Sequence, residues 1–75
     1  MNHNLILFHS MTSVLKGREV LRRRGIASRV IRTPSQLRRG SCGYSLLINR
    51  RFDEALRLIE QENIPTAGVA AVDIS

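Results

Sequence analysis

Four short apolar runs are separated by two amphipathic runs, in the order strand–helix–strand and then strand–helix–strand again. That order predicts an α+β domain. Its simplest architecture is a ferredoxin-like βαββαβ sandwich, a four-stranded antiparallel sheet with two helices on one face. A second observation agrees. Both helical runs close on related punctuation, Arg24-Gly25-Ile26 and Glu62-Asn63-Ile64-Pro65, a faint internal duplication. Seventy-five residues leave room for one domain, spanning 1–75.

The elements follow in chain order. His3 to Phe8 reads as the first strand, apolar with β-branched and aromatic residues at its centre. Ser10 or Thr12 then offers a side-chain oxygen to the first N–H groups of a helix. That helix runs to about Arg24, with Val14, Gly17 and Leu21 facing inward beside Met11 and Val20. Gly17 costs about 1 kcal/mol of helix propensity, which close approach of helix to sheet would offset. Arg22-Arg23-Arg24 suits the negative end of the helix dipole, and Gly25 is the left-handed stop. Ala27 to Thr33 is the second strand, ended by Pro34. Ser35-Gln36-Leu37 fits one helical turn. Tyr44 to Ile48 is the third strand. Asn49 is the expected cap of a second helix carrying Phe52, Ala55, Leu56 and Ile59 at i, i+3, i+4 and i+7. Asn63 takes the left-handed cap position, and Pro65 forbids continuation. Ala67 to Val72 is the fourth strand, followed by a frayed end.

The composition narrows the function classes. A chain of this size buries only about 60–65% of its unfolded surface, so it sits near the lower limit of independent stability. One cysteine excludes an internal disulfide. His3 and His9 are six apart and have no metal-ligand spacing, so no metal or cofactor is expected. The longest aliphatic or aromatic run, Leu5 to Phe8, is too short to cross a bilayer. Met1-Asn2-His3-Asn4 lacks the basic region of a signal peptide. A cytoplasmic, reducing location is therefore expected, where a free thiol survives. The formal net charge is +6. Residues 1–52 carry eleven basic groups against Glu19 alone; residues 53–75 carry Arg57 against five acidic groups. Eleven of the twelve basic residues are arginine, the residue that grips oxyanions bidentately. An anionic partner is a fair expectation; plain solubility explains the same charge.

The most informative segment is Arg38-Arg39-Gly40-Ser41-Cys42-Gly43-Tyr44. An unpaired cysteine is usually a small buried apolar side chain. Here two glycines remove bulk and permit tight turns, and two arginines supply the positive potential that favours a thiolate. The segment reads as an electropositive loop presenting a sulfur. In the expected topology strand one ends where strand three begins. His9, Ser10, the first helix N-terminus, Arg32, Arg38, Arg39 and the Cys42 loop then meet at one end of the sheet. Arg22 to Arg24 and Arg50-Arg51 fall at the other.

Thr33-Pro34, a short spacer, and Ser41-Cys42-Gly43 opening the apolar run Leu46-Leu47-Ile48 form a pattern. With Phe8 and Ser10 near the first helix start and Gly25-Ile26 at its end, the chain resembles a small bacterial family of selenium/sulfur carrier protein-like domains. The resemblance spans most of the chain. It implies that Cys42 is the carrier sulfur. A histidine found early in the family's first helix region is replaced by Thr12 or Ser13, with His9 nearby, and the usual alanine of that helix is Gly17.

Three functions compete. In the first, the chain is not an enzyme but a carrier. Cys42 takes sulfur or selenium as a persulfide or selenopersulfide from a donor protein and passes it to an acceptor. Backbone N–H groups of Ser41 and Gly43, with Arg38, Arg39, His9 and Ser10, support the anion. In the second, the basic surface binds nucleic acid, with Phe8 and Tyr44 as a stacking pair. In the third, the chain is a small interaction or regulatory module. Strands one and three are apolar at successive positions, so a homodimer would bury the open sheet face.

Overall fold

A computed structural model describes residues 3–38 and 40–73 of the chain. The elements are β1 (Leu5–Leu7), α1 (Met11–Arg23), β2 (Arg29–Arg32), β3 (Tyr44–Leu47), α2 (Phe52–Gln61) and β4 (Gly68–Ala70), with one 3-10 turn at Ser35–Leu37. The strands form a single antiparallel sheet in the order β2-β3-β1-β4. This is the ferredoxin-like α+β arrangement that the order of elements predicts.

The helix starts and stops follow local chemistry. Ser10 sits in an extended conformation and its side-chain oxygen accepts from the Ser13 N–H at 3.2 Å, so it is the N-cap of α1. Gly25 leaves α1 with φ of 75° and Asn63 leaves α2 with φ of 57°. The start of α2 differs from expectation. Its N-cap is Arg51, held left-handed with φ of 62°, and no side chain caps the helix. Asn49 and Arg50 are spent on the bend that turns the chain out of β3. Arg51 is held instead by two hydrogen bonds to Glu54 at 2.8 Å, which pull the Glu54 carboxyl below its ordinary range.

All four strands are shorter than the apolar runs. The β2–β3 ladder stops where Arg29 meets Leu47, so Ala27 and Ser28 have no partner in it. Hydrophobicity sets which residues are buried, whereas ladder register sets which are paired.

Strand alternation divides the core. Ile6, Phe8, Leu46 and Ile48 face the helices and pack with Val14, Leu21, Ala55 and Ile59. Full burial of one such side chain contributes about 1.5–3 kcal/mol. Leu5, Leu7 and Leu47 point to the other face, yet they are 0%, 6% and 5% exposed. The chain covers that face itself, with Ile31, Leu37, Ala67, Ala70 and Val72 packed against them. Asn4 holds the final segment down: its Nδ2 donates to the Val72 carbonyl at 2.8 Å, and the Val72 N–H donates to its Oδ1 at 2.9 Å. The successive apolar positions of β1 and β3 thus find their second cover within the chain.

Gly17 has the role its position suggests. A Cβ there would stand 3.2 Å from Leu46 Cδ1 and from Phe8 Cζ, and 3.4 Å from Ile59 Cδ1. Gly17→Leu should therefore lower the unfolding free energy by about 2–3 kcal/mol through overpacking. Urea denaturation measures this; an unchanged midpoint would contradict the close approach of α1 to the sheet.

Candidate functional site

The topology brings the end of β1 to the start of β3. The Cys42 N–H donates to the Phe8 carbonyl at 2.8 Å, just before the chain enters α1. One ladder step away, the Thr33 N–H donates to the Gly43 carbonyl at 2.8 Å. His9, Ser10, Arg32, Arg38, Ser41, Cys42 and Gly43 therefore gather at one end of the sheet. Arg39 lies outside the described residues.

The loop between β2 and β3 is braced from within. Pro34 keeps Thr33 extended, and the 3-10 turn follows. Arg38 Nε donates to the Thr33 carbonyl at 3.0 Å. The Ser41 N–H and hydroxyl both donate to the Arg38 carbonyl, at 2.9 and 3.2 Å. Gly40 and Gly43 have φ of 70° and 90°, a region that side chains rarely enter, and these two residues turn the chain on either side of Ser41-Cys42. Leu37 packs on the sheet face away from the helices, whereas Cys42 packs against the helix-side core. The loop thus wraps the end of the sheet and is anchored on both faces.

Cys42 is half-buried and unpaired. Its Sγ lies 3.5 Å from the Tyr44 carbonyl, within reach of a weak S–H donation. The sulfur is neither sealed in the core nor raised on a free tip; it sits at the core's margin. Tyr44, whose carbonyl the sulfur approaches, is an exposed aromatic side chain at 39%.

Several expected supports have other work. The Ser41 N–H is taken by Arg38, and the Gly43 N–H points to the Ser41 hydroxyl at 3.4 Å. Both were expected to face an anion. Ser10 is occupied as the cap of α1, with its hydroxyl also donating to Ser13 Oγ. Arg38 braces the loop. His9 is exposed beside the site. Phe8, expected as half of a base-stacking pair, is fully buried in the helix-side core, because alternation from Ile6 turns it inward. Among the described residues, no three His, Cys, Asp or Glu side chains are grouped to hold a metal, and no helix is long and apolar enough to cross a membrane.

Thr33 and Ser45 were harder to foresee as site residues. Both are buried, at 1% and 0% exposure, and their hydroxyls hydrogen-bond to each other. Thr33 also uses its N–H on Gly43 and its carbonyl on Arg38, so one residue ties the loop at both ends. The available signal was register: a hydroxyl two residues past Ile31, which pairs with Ser45.

A family model described as Putative Se/S carrier protein-like matches residues 3–71. The chain belongs to this family, whose match covers both helices, all four strands and the Cys42 loop. No curated protein matches the chain, and no solved structure matches it.

Thr33→Val should cost about 1–3 kcal/mol by stranding the Ser45 hydroxyl in the core. The double variant Thr33→Val, Ser45→Ala should recover most of that loss. Chemical denaturation of Thr33→Val, Ser45→Ala and the double variant checks the pair; additive losses would mean the hydroxyls do not depend on each other.

Proposed function

We propose that the chain is a chalcogen carrier rather than an enzyme, with Cys42 as the atom that holds the cargo. The Cys42 thiolate attacks the outer sulfur of a donor persulfide, R–S–SH. The donor S–S bond breaks, R–S⁻ leaves, and Cys42–S–SH forms. With a donor selenopersulfide the transferred atom is selenium. A nucleophile on the acceptor then attacks the outer atom and Cys42 returns as a thiolate. No net oxidation occurs, because the donor supplies the oxidised chalcogen. The donor and acceptor are proteins, and a reducing compartment such as the cytoplasm keeps Cys42 free for each round.

The observation that carries this reading is Cys42 itself: the chain's single cysteine, half-buried, on a loop pinned to β1 at Phe8, in a chain of the carrier-like family. A carrier needs a sulfur that partners can reach and a scaffold that positions it. The marginal burial of Cys42 suits both needs. The stem is packed, and a persulfide would add its outer atom beyond that stem.

Protein isolated without reductant should carry the mass of one extra sulfur or selenium atom on Cys42. Dithiothreitol should remove it, and Cys42→Ser should lack it. Intact-mass and peptide mass spectrometry make the measurement. Cys42 that stays unmodified after isolation, and after incubation with a persulfide-bearing donor enzyme, would overturn the proposal.

A further inference from the structure

A cleft lies at the opposite end of the sheet from Cys42. The stretch leaving α1, Gly25 to Arg29, and the bend after β3, Asn49 to Arg51, enclose a half-open cleft of about 350 Å³. Ladder register explains the meeting of these two segments, since Arg29 pairs with Leu47 at the far end of β2 and β3. Ile26 and Leu47 lie buried beneath the cleft, and exposed Gly25 and Ala27 with the arginine stems give it an apolar floor. Arg29, Arg50 and Arg51 line it, together with Ser28 and Asn49.

The charges at this end are not balanced. Arg51 is engaged by Glu54. Arg24 and Arg57 also act on the Glu54 carboxyl and help to hold it low. Asp53 is the other acidic group in the first turn of α2. Among the described residues, Arg24, Arg29, Arg50 and Arg57 belong to no ion pair. Arg24, Arg29, Arg50, Arg51 and Arg57 thus face Asp53 and Glu54 here, and of the four without an ion pair Arg29 and Arg50 border the cleft.

The geometry points to a binding site for a small phosphate monoester carrying a flat apolar group. Two guanidinium-bearing residues that line one cleft suit a phosphate dianion, which arginine holds through paired N–H donors. The apolar floor takes the ring, and the volume lies within the usual range for small-molecule sites. Inorganic phosphate would use only the arginines. A neutral ring would use only the floor. The site needs nothing from Cys42.

The test is a backbone-amide NMR titration of the whole chain with phenyl phosphate, with inorganic phosphate and with phenol, at constant ionic strength. Phenyl phosphate should give saturable shifts centred on Ser28, Arg29, Asn49 and Arg50. Each half-probe should bind at least about tenfold more weakly, as expected when one set of contacts is lost. The double variant Arg29→Ala, Arg50→Ala changes two exposed side chains and should keep the wild-type spectrum elsewhere while weakening phenyl phosphate by about tenfold or more. Cys42→Ser should bind as wild type, so this outcome is independent of the carrier reading. Equal binding of phenyl phosphate and inorganic phosphate would overturn the assignment, as would non-saturating shifts spread over Lys16 and Arg18. So would a single-stranded RNA that binds more tightly than phenyl phosphate and shifts Arg22 to Arg24 as well; that result would mark the pole as a nucleic-acid surface.

Discussion

The hydrogen bond from the Cys42 N–H to the Phe8 carbonyl, 2.8 Å long, is the contact on which the site depends. It extends the β1–β3 pairing beyond its last ladder partners, Leu7 and Ser45, and so fixes the sulfur against the strand that leads into α1. The pairing of β1 with β3 is itself a result of two crossovers over one sheet face, which places non-consecutive strands side by side. Without it, Cys42 would sit on a loop with no defined neighbour. With it, a residue 34 positions away in sequence from Phe8 is held against β1 just past the last rung.

The rest of the loop serves that contact. Thr33 holds the incoming end through three groups at once: its N–H to Gly43, its hydroxyl to Ser45 and its carbonyl to Arg38. Ser41 closes the turn onto the Arg38 carbonyl, and Leu37 seats the far side on Leu5, Leu7 and Leu47. The arginine nearest the thiol in sequence among the described residues is thereby a brace. A buried hydroxyl pair at this point is consistent with a requirement for one loop conformation, because an unsatisfied hydroxyl in the core is costly in any other.

Much of the fold was legible in the sequence. Helix chemistry is local, so Ser10, Gly25, Asn63 and Pro65 mark α1 and α2 closely. The apolar spacing of Phe52, Ala55, Leu56 and Ile59 marks the buried side of α2. Strand limits were less legible, because they depend on register with distant partners: Ala27 and Ser28 look like strand but lie past the last rung. Asn49 has the chemistry of a cap, yet the bend out of β3 needs that position and Arg51 enters the left-handed region instead. The closure of the second sheet face was also hidden. It comes from Leu37 and Val72, each far in sequence from the leucines it covers, and from Asn4 pinning the final segment. At the site, the glycine turns and the meeting of His9, Ser10 and the Cys42 loop could be foreseen from topology. The engagement of the Ser41 and Gly43 N–H groups could not, since their acceptors are set by the folded loop.

The two ends of the sheet thus differ in kind, one built around a braced sulfur and the other around arginines and an apolar cleft. Passage of cargo through Cys42 can be followed by a pulse-chase with isotopically labelled sulfane sulfur. Label from a donor persulfide should appear on Cys42 and leave at the rate at which an added acceptor thiol gains it. Label that reaches the acceptor equally fast through Cys42→Ser, or that stays on Cys42 while the acceptor fills, would contradict that route.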